Sequence, residues 1–261
     1  MKKKIVYITG AAGYLGRELV NKFFTEKKYN LYVSFDDVRQ KNMNYYIQNA
    51  NVIIHMAAKH PSQKVVEQEI NATNYESTKH LYDTVRKTSQ FIFLSSDCVF
   101  GGDKKKYFID DKREPLTLYG KTKKRSEDYI INNVKKACII RTSMLYGSSN
   151  KRRDNFINYL FKNLDKNKEV ELYSDVWARP THVHDLADFI DYTIEEEKTG
   201  VFHACGKKYV NRYAMGKKIC DFYGFDENLL LDAKKPFESH FQSVNMIPSV
   251  EFEPFDKRNI F

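Results

Sequence analysis

No CxxC pair and no His/Cys ligand spacing joins the four cysteines, Cys98, Cys138, Cys205 and Cys220, so neither a zinc site nor a disulfide framework is signalled. No metal is expected, and scattered single thiols fit a reducing, cytoplasmic setting. A long apolar run is also missing: Ile5-Val6-Tyr7-Ile8, behind a charged N-terminus, is far too short for a signal peptide or a membrane span. There is no internal repeat and no low-complexity linker. The basic clusters Lys2-Lys3-Lys4, Lys104-Lys105-Lys106 and Lys121-Thr122-Lys123-Lys124-Arg125 carry no RNA- or DNA-binding signature, so they read as solvated surface and no nucleic-acid partner is expected.

What is present suits an enzyme-sized α/β chain. At 261 residues it can bury a full core, with room for a main domain and a small appended lobe. Lysine plus arginine outnumber acidic residues by 43 to 34, giving a net charge of +9 that suits an anionic ligand without identifying one.

Lys4 to Thr9 predicts a buried strand, and Gly10, Gly13 and Gly16 then open an amphipathic helix carrying Leu15, Leu19, Val20, Phe23 and Phe24. Small residues between strand and helix let backbone approach a pyrophosphate, whose charge sits where unpaired helix amides point outward. A second strand, Leu31 to Phe35, ends at Asp36-Asp37, where a carboxylate could take the hydroxyls of an adenosine ribose. Arg39 and Lys41 stand beside it and could instead receive a 2′-phosphate, so NAD and NADP both stay open.

Val52 to Ala58 predicts a strand leaving into small residues, with Ala57 and Ala58 lining the passage beside a cofactor. His55 lies inside that strand without a partner motif and reads as structural. A helix is expected over Asn74 to Lys87, then a strand, Phe91 to Leu94, that delivers Ser95, Ser96 and Asp97 at its C-terminal end, the edge where open α/β sheets bind ligands. Pro115 precedes a helix carrying Tyr119 and Lys123, four residues apart and therefore on one face. An ammonium near a phenol favours phenolate, so Lys123 is expected to bring Tyr119 toward neutral pH. Further on, Cys138 to Thr142 predicts a strand, Ser143 to Arg153 a loop, Asn155 to Leu164 a helix and Val170 to Tyr173 a strand. Arg179 to Asp185 reads as a loop, Leu186 to Ile194 as a helix, Gly200 to His203 as a strand and Tyr213 to Tyr223 as a helix, with the tail beyond Lys234 unassigned.

With these residues in place the chain resembles the extended short-chain dehydrogenase/reductases, and within them the dTDP-4-dehydrorhamnose reductase type. The resemblance rests on Thr9 to Gly16, Ser95 to Phe100, Tyr119 with Lys123, Arg141 to Gly147, Asp154-Asn155-Phe156 and Arg179-Pro180-Thr181. It implies a Rossmann-type doubly wound parallel sheet with a small C-terminal substrate-binding lobe. Residues 1–165 would form the dinucleotide domain and 166–261 the lobe, with 179–203 returning to the main domain.

The resemblance further implies a catalytic set of Ser96, Tyr119 and Lys123. It implies cofactor contacts from Gly10, Gly13, Tyr14, Leu15, Gly16, Asp36, Asp37, Arg39, Ala57, Ala58, Tyr119, Lys123 and Ser143. Substrate contacts would come from Ser96, Asp97, Asn155, Phe156 and Arg179, and the substrate would be a nucleotide sugar. The implied reaction is NAD(P)H-dependent reduction of a 4-keto sugar nucleotide with Tyr119 as proton donor. A 4-epimerase with tightly bound NAD and a non-catalytic dinucleotide-binding regulatory subunit are the alternatives, and a homodimer is open.

Two features depart from the pattern. Only fourteen residues separate Asp37 from Val52, hardly more than a minimal crossover, so a strand and helix of larger relatives should be shortened or lost, and Asp37-Val38-Arg39 could take over the adenine-contacting position. Cys98 occupies the place where the 4,6-dehydratases carry a glutamate, which argues against dehydration. With no histidine in Asn155-Phe156-Ile157-Asn158, that cysteine reads as a small apolar filler.

Overall fold

The computed structural model describes residues 2–34, 44–60, 66–147, 156–236, 243–250 and 252. The chain runs β1 (Ile5–Thr9), α1 (Tyr14–Glu26), β2 (Asn30–Ser34), α2 (Asn44–Asn49), β3 (Val52–His55), α3 (Glu67–Asn71), a π-helical turn (Ala72–Glu76), α4 (Ser77–Thr84) and β4 (Gln90–Ser96). It continues with α5 (Leu118–Asn133), β5 (Ala137–Thr142), β6 (Leu145–Tyr146), α6 (Phe156–Leu164), β7 (Val170–Tyr173), β8 (Trp177–Ala178), β9 (Thr181–His182) and α7 (Val183–Glu195). The last elements are β10 (Gly200–His203), β11 (Val210–Asn211), α8 (Arg212–Tyr223) and β12 (Leu230–Ala233).

Six strands form one all-parallel sheet in the order β10-β5-β4-β3-β1-β2. Parallel strands need covered faces, and successive residues of a strand point to opposite sides. Val6, Ile8, Ile54, Ile92 and Ile140 accordingly pack with α1 and α7 through Leu19, Phe23, Leu186 and Ile190. Their neighbours Tyr7, Ile53, Phe91, Phe93 and Ile139 pack on the other side with Ile47, Leu81 and Ile130 of α2, α4 and α5. The sheet is therefore doubly wound. The chain reverses direction in the sheet at β1, whose neighbours are β2 and β3, and this switch point opens a crevice at the strands' C-terminal ends. Among the described residues the sheet ends at β2, and α2 is the one helix between β2 and β3.

A separate core gathers α6, β7, α8 and β12 around Leu160, Leu172, Met215, Ile219 and Leu230. β12 pairs parallel with β7, and the segment after residue 242 returns along the main body, burying Val244 and Met246 against Phe100 and Tyr107.

Two buried polar systems tie the layers together. In the first, His55 is fully buried between Thr9 Oγ1 at 2.7 Å and Thr78 Oγ1 at 2.9 Å. Thr9 Oγ1 accepts from Ala57 N–H, and Thr78 donates to Asn74 O, so the direction of each bond is set: Thr9 donates to Nδ1, and Nε2–H donates to Thr78. Burial, reinforced by Lys123, pushes this imidazole down to about 3, which keeps it neutral. In the second, Glu127 of α5 is fully buried and accepts from Ser95 Oγ, from Nε and NH2 of Arg141 and from NH1 of Arg113. Arg141 also donates to Ile109 O at 2.9 Å and to His203 Nε2 at 3.2 Å.

Removing one partner of such a pair strands a buried charge. Glu127→Ala should therefore lower the unfolding free energy by about 3–5 kcal/mol, seen as a lower urea midpoint at unchanged slope, whereas Glu127→Gln, which keeps hydrogen-bonding atoms in place, should cost less.

Candidate active site at the C-terminal edge of the sheet

The crevice is lined by the residues that leave β1, β3, β4 and β5. Gly10 follows β1 with φ +71°, and a Cβ there would lie 2.7 Å from Ala57 N, so the exits of β1 and β3 touch only because this residue has no side chain. Gly13 N–H donates to Gly10 O at 2.8 Å and closes the turn. Helix α1 then starts with no side-chain cap and no acidic residue in its first turn, which leaves its amide donors and positive dipole end open to an anion. Leu15 and Gly16 are buried in that first turn, and Tyr14 packs against the core beneath it. These residues fit the diphosphate of a dinucleotide.

On the other wall, Ser96 ends β4 and caps a short 3-10 turn, Asp97–Val99, by accepting from Cys98 N–H at 3.2 Å. Helix α5 docks onto this turn. Thr117 caps it by accepting from Gly120 N–H, and a Cβ on Gly120 would sit 2.1 Å from Cys98 O, so glycine at this position lets the helix approach. The approach brings Tyr119 beside Ser96, whose hydroxyl acts to lower the phenol's pKa. Burial, with the nearby Cys98 and Asp97, outweighs it and drives the phenol well above its ordinary value.

Lys123 is buried one helical turn on. Its ammonium donates to Leu94 O at 2.8 Å, lies 4.6 Å from the centre of the Phe93 ring and stands 5.9 Å from that of Tyr119. The expected tuning of the phenol by this lysine is not found: Lys123 is not among the groups that shift Tyr119. Lys123 is itself the perturbed partner: burial pushes it down to about 8, opposed by Glu127. Cys98 is pushed up to about 12, chiefly by burial and then by Asp97, so it remains a thiol.

Ser143, just past β5, donates to Asp97 Oδ2 at 2.6 Å, while Ser96 Oγ lies 3.0 Å from Asp97 Oδ1. Ser96, Asp97, Tyr119, Lys123 and Ser143 thus come together at the edge where Ala57 and Gly10 also lie. Arg179 lies nearby through its backbone N–H, which reaches Ser143 Oγ at 3.4 Å, but its guanidinium donates to Gly206 O, Lys207 O and Asn245 Oδ1. Phe156 packs on the second core, 5.2 Å from the Arg212 guanidinium. Asp36, Asp37, Arg39, Lys41 and Asn155 lie outside the described residues.

Residue-level reading missed Asn74 and Glu127. In the π-helical turn the Asn74 carbonyl accepts from Thr78 and Ser126 side chains, while its amide bridges Lys59 and Thr122, joining the β3 exit to α5.

Glycine turn, strand-end serine and tyrosine–lysine helix on one doubly wound sheet make up the architecture of the extended short-chain dehydrogenase/reductases. More narrowly, the chain belongs to the RmlD substrate binding domain family, which it matches over residues 3–252. It is 30% identical over 269 residues to a dTDP-4-dehydrorhamnose reductase of Aggregatibacter actinomycetemcomitans, covering 96% of this chain and 87% of that one. It is 29% identical over 249 residues to methionine adenosyltransferase 2 subunit beta of Bos taurus, covering 86% of this chain and 74% of the relative. Among solved structures, dTDP-4-dehydrorhamnose reductase from Bacillus anthracis in complex with NADP superposes with a TM-score of 0.87 at 22% identity, over 98% of this chain and 96% of the other.

If burial sets the Lys123 pKa, a lysine ¹³C NMR titration, assigned by loss of the signal in Lys123→Arg, should give a midpoint near 8, well below the roughly 10.4 of a free lysine. Glu127→Gln should lower it further, since that carboxylate holds the charge on. A wild-type midpoint above 10 would contradict the geometry.

Proposed function

We propose that this chain is an NAD(P)H-dependent reductase of a 4-keto sugar nucleotide, with Ser96, Tyr119 and Lys123 as its catalytic residues. The observation that carries the reading is the convergence of these three side chains beside the open N-terminus of α1. Gly10, Gly13, Tyr14, Leu15, Gly16, Ala57, Ala58 and Ser143 would hold the dinucleotide, with Asp36, Asp37 and Arg39 deciding between NADP and NAD. The bound reduced nicotinamide would supply hydride to the sugar carbonyl.

The protein's own part is proton delivery and positioning. Tyr119, kept neutral by its buried setting, is a phenol able to give its proton to the carbonyl oxygen as negative charge builds there. Ser96 would donate a hydrogen bond to the same oxygen. Lys123, protonated below about 8, would face the cofactor ribose and steady the phenolate that Tyr119 becomes. Cofactor affinity and rate should therefore decline together as pH rises through about 8, where this ammonium is lost, and Lys123→Arg should move that decline upward.

The separate core of α6, β7, α8 and β12 supports a substrate lobe within residues 166–261, extended by α6, with α7 packing on the main sheet and β10 forming its edge strand. Asp97, Asn155, Phe156 and Arg179 are the residues proposed to meet substrate. A second reading follows from the bovine relative, named as a subunit of another enzyme: this chain would bind a dinucleotide and a protein partner without turnover.

Turnover separates the two. With a panel of 4-keto sugar nucleotides, wild type should oxidise NAD(P)H, Tyr119→Phe should lose roughly 10²–10⁴-fold in rate with dinucleotide affinity retained, and Ser96→Ala should cost about 1–3 kcal/mol. Near-normal turnover by Tyr119→Phe would sink the proton-donor assignment. An inert wild type that binds dinucleotide tightly would favour the subunit reading.

A further inference from the structure

The hydroxyl of Ser96 has one proton, and the site asks for it twice. Ser96 Oγ already accepts from Cys98 N–H and lies 3.0 Å from Asp97 Oδ1, while Ser143 donates to the other carboxylate oxygen. If Asp97 is ionised it can only accept, so both serine protons point at it and Ser96 has none left for a substrate carbonyl. If Asp97 carries a proton on Oδ1, that proton goes to Ser96 Oγ, the Ser143 bond to Oδ2 is kept, and the Ser96 proton turns out toward Tyr119 and the crevice.

We propose that Asp97 is a positioning residue that acts in its protonated form, donating to Ser96 so that the serine hydroxyl is free to hydrogen-bond the substrate oxygen. This rests on the reading of Ser96 as the carbonyl donor and adds to it the source of the donor's orientation. The surroundings agree. The groups that face Asp97 are Ser96 and Cys98 on its own turn, Ser143 after β5, Tyr119 of α5, and Cys205 and Tyr209 after β10. All are neutral at pH 7. Arg179, the cation whose backbone reaches Ser143, directs its guanidinium to Gly206, Lys207 and Asn245, and among the described residues no ion pair reaches Asp97. Burial therefore prevails over the hydroxyl, thiol and amide donors and raises this carboxyl above the usual range.

Raising the pH ionises Asp97, draws the Ser96 proton back to the carboxylate and removes one donor from the transition state, so kcat falls with rising pH toward the rate of Ser96→Ala. Asp97→Asn imitates the protonated acid permanently, because its amide donates to Ser96 and its oxygen accepts from Ser143. Asp97→Ala removes the support altogether.

The test is the pH dependence of kcat for wild type, Asp97→Asn, Asp97→Ala and Ser96→Ala, with the best substrate from the keto-sugar panel. Wild type should lose its roughly 10- to 100-fold advantage over Ser96→Ala as pH rises, on top of the limb it shares with every variant. Asp97→Asn should be slower than wild type at low pH, lack this additional loss and exceed Asp97→Ala by about tenfold. The limb from Lys123 should be common to all four.

Infrared spectra without substrate supply a readout independent of turnover: a protonated-carboxyl C=O band at neutral pH, absent from Asp97→Asn and lost from wild type as pH rises. If the band is missing, or an active wild type is accompanied by an Asp97→Asn no better than Asp97→Ala, the Asp97 proposal alone is overturned. A wild type inert toward the whole panel overturns the reductase reading and the role of Asp97 within it.

Discussion

The docking of α5 onto the end of β4 is the constraint on which the site depends. Two contacts enforce it from opposite ends of the same surface. Gly120 lets the helix rest on the Cys98 carbonyl, and two turns further along Glu127 clamps Ser95 and Arg141, both at the strand ends. Because Ser95 and Ser96 are adjacent, fixing the first orients the second. Because Tyr119, Lys123 and Glu127 recur every four residues, fixing the last sets the rotation of the helix that carries the other two. A buried carboxylate shared by two guanidinium groups gains little net stability over an apolar core, so geometric specificity is the better account of its presence here.

That geometry has electrostatic consequences. The crevice is dry enough to push a lysine down and a phenol up, each toward its neutral form. For the proposed reduction this is the useful direction, since a proton donor must hold its proton until negative charge appears on the substrate. An enzyme poised for the reverse reaction would want the ammonium nearer the phenol. Lys123 faces Leu94 O and Phe93, with its ammonium 5.9 Å from the centre of the Tyr119 ring.

How much of this was legible in the sequence follows from the range of each interaction. Strands β1, β3, β4 and β5 are near-continuous apolar runs and stood out, as did the glycine turn, whose signal is local. Strands β6, β8, β9 and β11 have two residues each, too short for any periodicity, and exist because of partners far along the chain. β6 fell inside an expected loop and pairs with β9, and α7 begins at Val183, three residues earlier than its apolar pattern suggested. The helix expected from Asn74 begins at Glu67 and is interrupted by a π-turn, a deviation without a compositional mark. Ser96, Tyr119 and Lys123 could be singled out because their residue types and spacing suit proton transfer, and the fold brings Tyr119 beside Ser96 and Lys123. Glu127 could not be singled out: in a stretch of alternating charges it resembles any solvated helix glutamate, and only the tertiary fold buries it.

Resemblance places a reductase ahead of a dinucleotide-binding subunit because serine, tyrosine and lysine are all retained, although both would need the glycine turn. Ser96, Asp97 and Ser143 weigh in the same direction. A binding subunit has no use for a serine hydroxyl, a carboxyl without a cationic partner and a second serine arranged at the crevice wall. Polar groups withdrawn from water there cost stability unless every one is hydrogen-bonded, and apolar residues of similar size would fill the space at less expense. Ser96 makes its bonds in two directions, to Cys98 N–H and to Asp97, and lies beside Tyr119. A polar cluster that is costly to bury, connected inward and placed beside that phenol supports the proposed chemistry there over a role in holding a cofactor alone.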